Sequence, residues 1–157
     1  MTVEELFRSA NVNPRGPKPW KEAVDESEPG VYVIAIRTLQ TECPLCPQML
    51  AQLNDFEREF ERILWIPEEE IVYIGQTTKQ NLKKRIGQFY RHRYGNTGPH
   101  HGGEAVHLLS RGNDLDVYWA PVKEPQREEV RMLMAFMRRH GRLPYANRDY
   151  PRVRKLF

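Results

Sequence analysis

Gly30-Val31-Tyr32-Val33-Ile34-Ala35-Ile36 is the stretch that decides the fold. It is rich in β-branched and aromatic residues and starts on the break Glu28-Pro29-Gly30, which marks a strand. Ile71-Val72-Tyr73-Ile74 has the same character, and Gly75 is expected to end it with a residue free to take unusual backbone angles. Leu115-Asp116-Val117-Tyr118-Trp119-Ala120 alternates apolar and polar at first and predicts a third strand.

Helical patterns fill the intervals. Thr2 and Glu5 have the spacing of a capping box, predicting a short helix over 3–10. Residues 11–19 hold Pro14, Gly16, Pro17 and Pro19 and read as a loop, with one helical turn at most over 20–25. Met49, Leu50, Leu53, Phe56, Phe60, Ile63 and Leu64 recur at three- and four-residue steps in an acidic background, predicting one amphipathic helix over 47–64. Leu82, Ile86 and Phe89 predict a basic helix over 79–91, entered through Gln76-Thr77-Thr78. Residues 95–103 read as a glycine-rich loop, and 104–109 as a short helix or strand. Pro125 opens a last helix over 126–140 with Val130, Leu133, Met134 and Met137 as its buried stripe, and Gly141 ends it.

The fold class that follows is α/β: a small three-stranded sheet flanked by helices, with a helical insert at about residues 38–68 between the first two strands. A length of 157 residues with 39% hydrophobic side chains suits a single core. Residues 1–28 form an N-terminal extension, 29–148 the main unit and 149–157 a basic tail. No run approaches the ~20 apolar residues of a membrane span. Glu4 and Glu5 stand where a signal peptide carries basic residues, so a cytoplasmic protein is expected. Cys43 and Cys46 have the spacing of half a zinc site with no second pair to complete it, and reduced thiols are the expectation.

Charge is divided between the two halves of the chain. Residues 1–70 hold 7 Lys and Arg against 14 Asp and Glu, whereas residues 71–157 hold 17 against 7. No acidic residue occurs in 71–103, where Lys79, Lys83, Lys84, Arg91 and Arg93 are interleaved with Tyr73, Phe89, Tyr90 and Tyr94. Such a surface suits a phosphate backbone, with affinity that falls as salt rises.

Five spaced elements carry a family resemblance over residues 29–148: Gly30-Val31-Tyr32; Tyr73-Ile74-Gly75; Gly75-Gln76-Thr77 leading to Leu82 and Arg85; a helical glutamate before an apolar stripe; and Pro144-Tyr145-Ala146-Asn147. In this order they resemble the GIY-YIG nucleases, with Val31 in place of the usual Ile. The resemblance implies an endonuclease acting on DNA rather than RNA, with one Mg²⁺ or Mn²⁺ ion. It implies a site of Tyr32, Tyr73, Arg85, Glu129 and Asn147, with Glu129 as the metal ligand. A carboxylate holding a hard cation and a fixed guanidinium can neutralise the phosphate and stabilise the leaving oxygen. Tyr32 would be the general base if nearby positive charge lowers its pKa, Tyr73 would hydrogen-bond the water or a phosphate oxygen, and Asn147 would brace the site.

Glu128 also fits the helical glutamate, but spacing favours Glu129, four residues before Leu133. Some relatives place a histidine four residues after the arginine; here that residue is Phe89, and His92 is the candidate to approach the cleft. The 34 residues between Ile36 and Ile71 exceed the short hairpin of relatives, and the inserted helix offers a surface for a homodimer or a partner protein. An inactive nucleic-acid-binding module and a protein-interaction domain are the alternatives.

Overall fold

The computed structural model describes residues 1–95, 101–110 and 114–151. The central strand β2 (Gly30–Ile36) is as expected, and every residue of it is buried. It lies between β3 (Ile71–Thr77) and β4 (Leu115–Pro121), and β4 pairs in turn with an outer strand, β1 (Arg15–Pro19). All three pairings are antiparallel, in the order β1-β4-β2-β3. The sheet therefore has four strands rather than three. Residues 11–19, expected as a loop because of their prolines, supply the additional one. Proline is tolerated on an edge strand, where one row of amides needs no ladder partner, and the register of β1 shifts between Arg15 and Lys18.

The alternation of β2 sorts its side chains onto two cores. Val31, Val33 and Ala35 meet α1 (Val3–Ser9) and α5 (Pro125–His140) on one face. Tyr32, Ile34 and Ile36 meet α4 (Leu82–Arg91), Trp20, Val24 and the 3-10 helix His101–Leu108 on the other. The N-terminal extension is thus part of both cores. Residues 20–22 make a turn instead of a helix, closed by Glu22 N donating to Pro19 O at 3.0 Å.

The insert departs most from its sequence pattern. In place of one helix over 47–64 there are two, α2 (Pro47–Leu50) and α3 (Asp55–Leu64). Asn54 causes the break: its side chain accepts from Glu57 N at 2.8 Å, and Glu57 Oε1 accepts from Asn54 N at 3.0 Å. This reciprocal cap starts a helix anew rather than continuing one. Despite the insert, β2 and β3 are sheet neighbours, with Tyr32 opposite Gly75. On α5 the buried residues include Val130, Met132, Leu133 and Phe136, while Met134 is 40% exposed, so the buried face is rotated from the expected stripe. Gly141 ends α5 at φ 71°, a left-handed cap that suits glycine. No helix among the described residues is long and apolar enough to cross a membrane.

Candidate active site

β3 runs through Gly75 to Thr77 instead of ending at the glycine. Gly75 is needed for space, not for an unusual backbone angle. A Cβ there would lie 2.5 Å from Tyr32 Cζ, 2.7 Å from the Tyr32 hydroxyl and 2.8 Å from Tyr73 Cε2. The two tyrosine rings share the room this glycine leaves, with centroids 6.1 Å apart. Phe89 of α4 stacks on Tyr73 at 5.4 Å and 8°, and a Cβ on Gly103 would lie 2.7 Å from Tyr73 Cζ on another side.

α4 starts where a short turn puts it. Thr77 Oγ1 accepts from Gln80 N at 3.2 Å, and Asn81 caps the helix by accepting from Lys84 N at 2.7 Å. Arg85 follows one turn later and lines a cleft of about 650 Å³ with Gln76, Thr77, Thr78, Lys79, Gln80, Gln88 and Gln126. Gln126 lies on α5, three residues before Glu129. Lys79, Lys83, Lys84, Arg91 and Arg93 are all exposed.

Glu129 shares the buried face of α5 with Leu133 and Phe136, one and two turns on. Burial pushes its carboxyl up to about 7, against the pull of Arg85. Glu128 instead turns toward Arg131, 3.4 Å away. Glu129 and Arg85 both act on the two tyrosines, the carboxylate opposing their ionisation and the guanidinium favouring it. Tyr32, Tyr73, Arg85 and Glu129 therefore form one electrostatic unit.

Within that unit Tyr32 is fully buried, and Arg85 and Tyr73 are the side chains that act on its hydroxyl. The pKa of Tyr32 is raised, burial outweighing Arg85. The condition set for a general base, a pKa lowered by nearby positive charge, is not met by Arg85 alone, and the chain's own charges leave Tyr32 a neutral hydroxyl. Tyr73 is raised as well, again chiefly by burial.

Asn147 reaches the site through the backbone. Its Nδ2 donates to Ile74 O at 2.9 Å and its Oδ1 accepts from Ile74 N at 3.0 Å, so it pairs with the outer edge of β3 between Tyr73 and Gly75. His92 is placed elsewhere. Its ring lies 5.9 Å from that of His107 and its Nε2 3.8 Å from Glu104, in a separate depression of about 750 Å³ lined also by Lys21, Arg91 and Arg93. Phe89 occupies the position one turn after Arg85 and stands beside both tyrosines. Its place on the apolar stripe of α4 was legible in the sequence, but its contact with the tyrosines, and the places of Gln88 and Gln126 in the cleft, had no distinguishing signal there. Part of the glycine-rich loop, residues 96–100, and most of the basic tail, residues 152–157, lie outside the described residues.

Among the described residues no three His, Cys, Asp or Glu side chains gather to hold a metal ion. A single carboxylate is nevertheless compatible with Mg²⁺ or Mn²⁺. Mg²⁺ sheds water reluctantly and is commonly held by one or two carboxylates together with substrate phosphate. Glu129, whose charge acts on the Tyr32 and Tyr73 hydroxyls, fits that donor set. Comparison with protein-family models, curated proteins and solved structures finds no match to this chain.

Proposed function

We propose that this chain is a metal-dependent endonuclease of the GIY-YIG type that hydrolyses phosphodiester bonds in DNA. The observation that carries the reading is the buried Tyr32 hydroxyl beside Tyr73 and within reach of the fields of Arg85 and Glu129, next to a cleft that Arg85 and the exposed Lys79 line. A bound Mg²⁺ or Mn²⁺ would be held by Glu129 and would polarise the phosphoryl oxygens. Arg85 lines the cleft and offers a fixed positive fork to the phosphate. The Tyr32 and Tyr73 hydroxyls, neutral in the chain alone, are donors that can hold a water or a non-bridging oxygen. Their rings are locked by Gly75 and Phe89, so this placement costs little reorganisation. Proton removal from the attacking water by Tyr32 requires more positive charge than Arg85 supplies.

The test is cleavage of supercoiled, branched and linear DNA with Mg²⁺ or Mn²⁺. Arg85→Ala, Glu129→Ala and Tyr32→Phe are each expected to lower the rate by about 100-fold or more. Lys83→Ala/Lys84→Ala should instead weaken binding and flatten its salt dependence. Salt-dependent binding without cleavage of DNA or RNA by either metal would show an inactive binding module.

A further inference from the structure

α3 is turned with one of its charged residues inward. Glu61 is 4% exposed and accepts from the Tyr145 hydroxyl at 2.7 Å and from the Arg148 guanidinium at 3.1 and 2.5 Å. The large apolar residues point out: Phe56 is 79%, Phe60 45% and Ile63 62% exposed. Steps of four and three place these side chains on one stripe, and the rings of Phe56 and Phe60 stack at 6.5 Å. A hollow of about 310 Å³ beside Phe60, with Leu143 and the exposed Tyr150 in its wall, widens the apolar face.

A line of exposed charge flanks the stripe. Asp55 and Glu59 lie toward the N-terminal end of α3 and Arg62 toward the C-terminal end, with Arg62 3.8 Å from its own Glu59. The acidic end disfavours nucleic acid. The pattern is complementary to itself when reversed, which is the condition for an isologous two-fold contact.

We infer that this face binds a second copy of the chain, the two α3 helices antiparallel about a two-fold axis. Phe60 then lies near the axis, and Phe56 of each copy meets Ile63 of the other. Arg62 of each copy reaches the Asp55 and Glu59 end of the other. A parallel arrangement would set acid against acid. A helix of ten residues is ~15 Å long, so the contact falls at or below the ~1,200 Å² where standard interfaces begin, and the dimer is concentration-dependent.

Sedimentation of the whole chain over a concentration series tests this without reference to catalysis. The wild type is expected to dimerise, and Phe56→Ser/Phe60→Ser to weaken the dimer by about tenfold or more. Arg62→Glu alone and Asp55→Lys/Glu59→Lys alone should each sediment as monomers, whereas their equimolar mixture should dimerise, because each restores the charge the other lacks. The substituted residues are exposed, and a far-UV circular dichroism spectrum equal to that of the wild type is required of each variant. A wild type that is monomeric at every concentration, a dimer indifferent to the two Phe changes, or a mixture that stays monomeric overturns the inference. A monomer that cuts DNA would leave the nuclease reading standing, and a dimer that cuts nothing would do the reverse.

Discussion

Tyr32 and Gly75 face each other across the β2–β3 ladder, and the absence of a side chain on Gly75 makes the space that the Tyr32 ring occupies. Gly75→Ala would place a methyl 2.5 Å from Tyr32 Cζ, against a ring that cannot retreat through a packed core. The expected cost is about 1–3 kcal/mol, the range for overpacking, read as a lower urea midpoint. Gly87 is the control. It sits in mid-α4, where an added Cβ meets only Arg91 Nη1, at 3.5 Å, so Gly87→Ala should stabilise by about 0.5–1 kcal/mol. Equal effects from the two changes would show that the Tyr32 ring is not confined.

Glu129 makes stability depend on pH with a definite sign. Its carboxyl rises from 4.5 to about 7 on folding, chiefly through burial. Below 4.5 the group is protonated in both folded and unfolded chains and costs nothing. Between the two values the folded chain keeps a proton that the unfolded chain releases, so stability falls as pH rises, and above about 7 the loss is complete at ~3 kcal/mol. Glu129→Gln, which never ionises, should therefore be more stable than wild type in urea at pH 8 and indistinguishable from it near pH 4. A Gln variant less stable at pH 8 would mean that the carboxylate is held by favourable contacts.

Glu61 joins the insert to the segment that borders the site. Glu61→Ala removes the acceptor for Tyr145 and the counter-ion of Arg148 together, a loss of about 3–5 kcal/mol for a broken buried pair. Glu61→Gln keeps a hydrogen-bond acceptor and should cost less. Ala146 N donates to Val72 O at 2.9 Å and Asn147 holds Ile74, so the disturbance should reach β3. Faster hydrogen exchange at the Ile74 amide in the Ala variant is the expected readout. Unchanged exchange there would show that Asn147 holds its place without the insert.

Strands and helices with strong local patterns were legible without tertiary information. The apolar run of β2, the alternation in β4 and the Pro-to-Gly span of α5 each express a periodicity carried by neighbouring residues. The divided charge and the order Tyr32, Tyr73, Arg85, Glu129 and Asn147 are likewise properties of the chain as written. What escaped reading depends on groups far away. Arg15–Pro19 is a strand only because β4 offers it an edge, and α3 buries Glu61 only because Tyr145 and Arg148 are there to meet it. Gly75 looked like a strand end, since a glycine's need for space is invisible until a ring from another strand is placed over it.

By itself, then, the sequence determined strands β2 to β4, helices α1, α4 and α5, and the basic character of the second half of the chain. The tertiary structure decided that Tyr32, Tyr73, Arg85 and Glu129 share one electrostatic environment while His92 turns to Glu104 and His107. It also decided that burial raises the pKa of Tyr32 in spite of Arg85. The physical reason is range: propensity and periodicity act between residues a few positions apart, whereas desolvation and electrostatic fields are set by whatever the fold brings alongside.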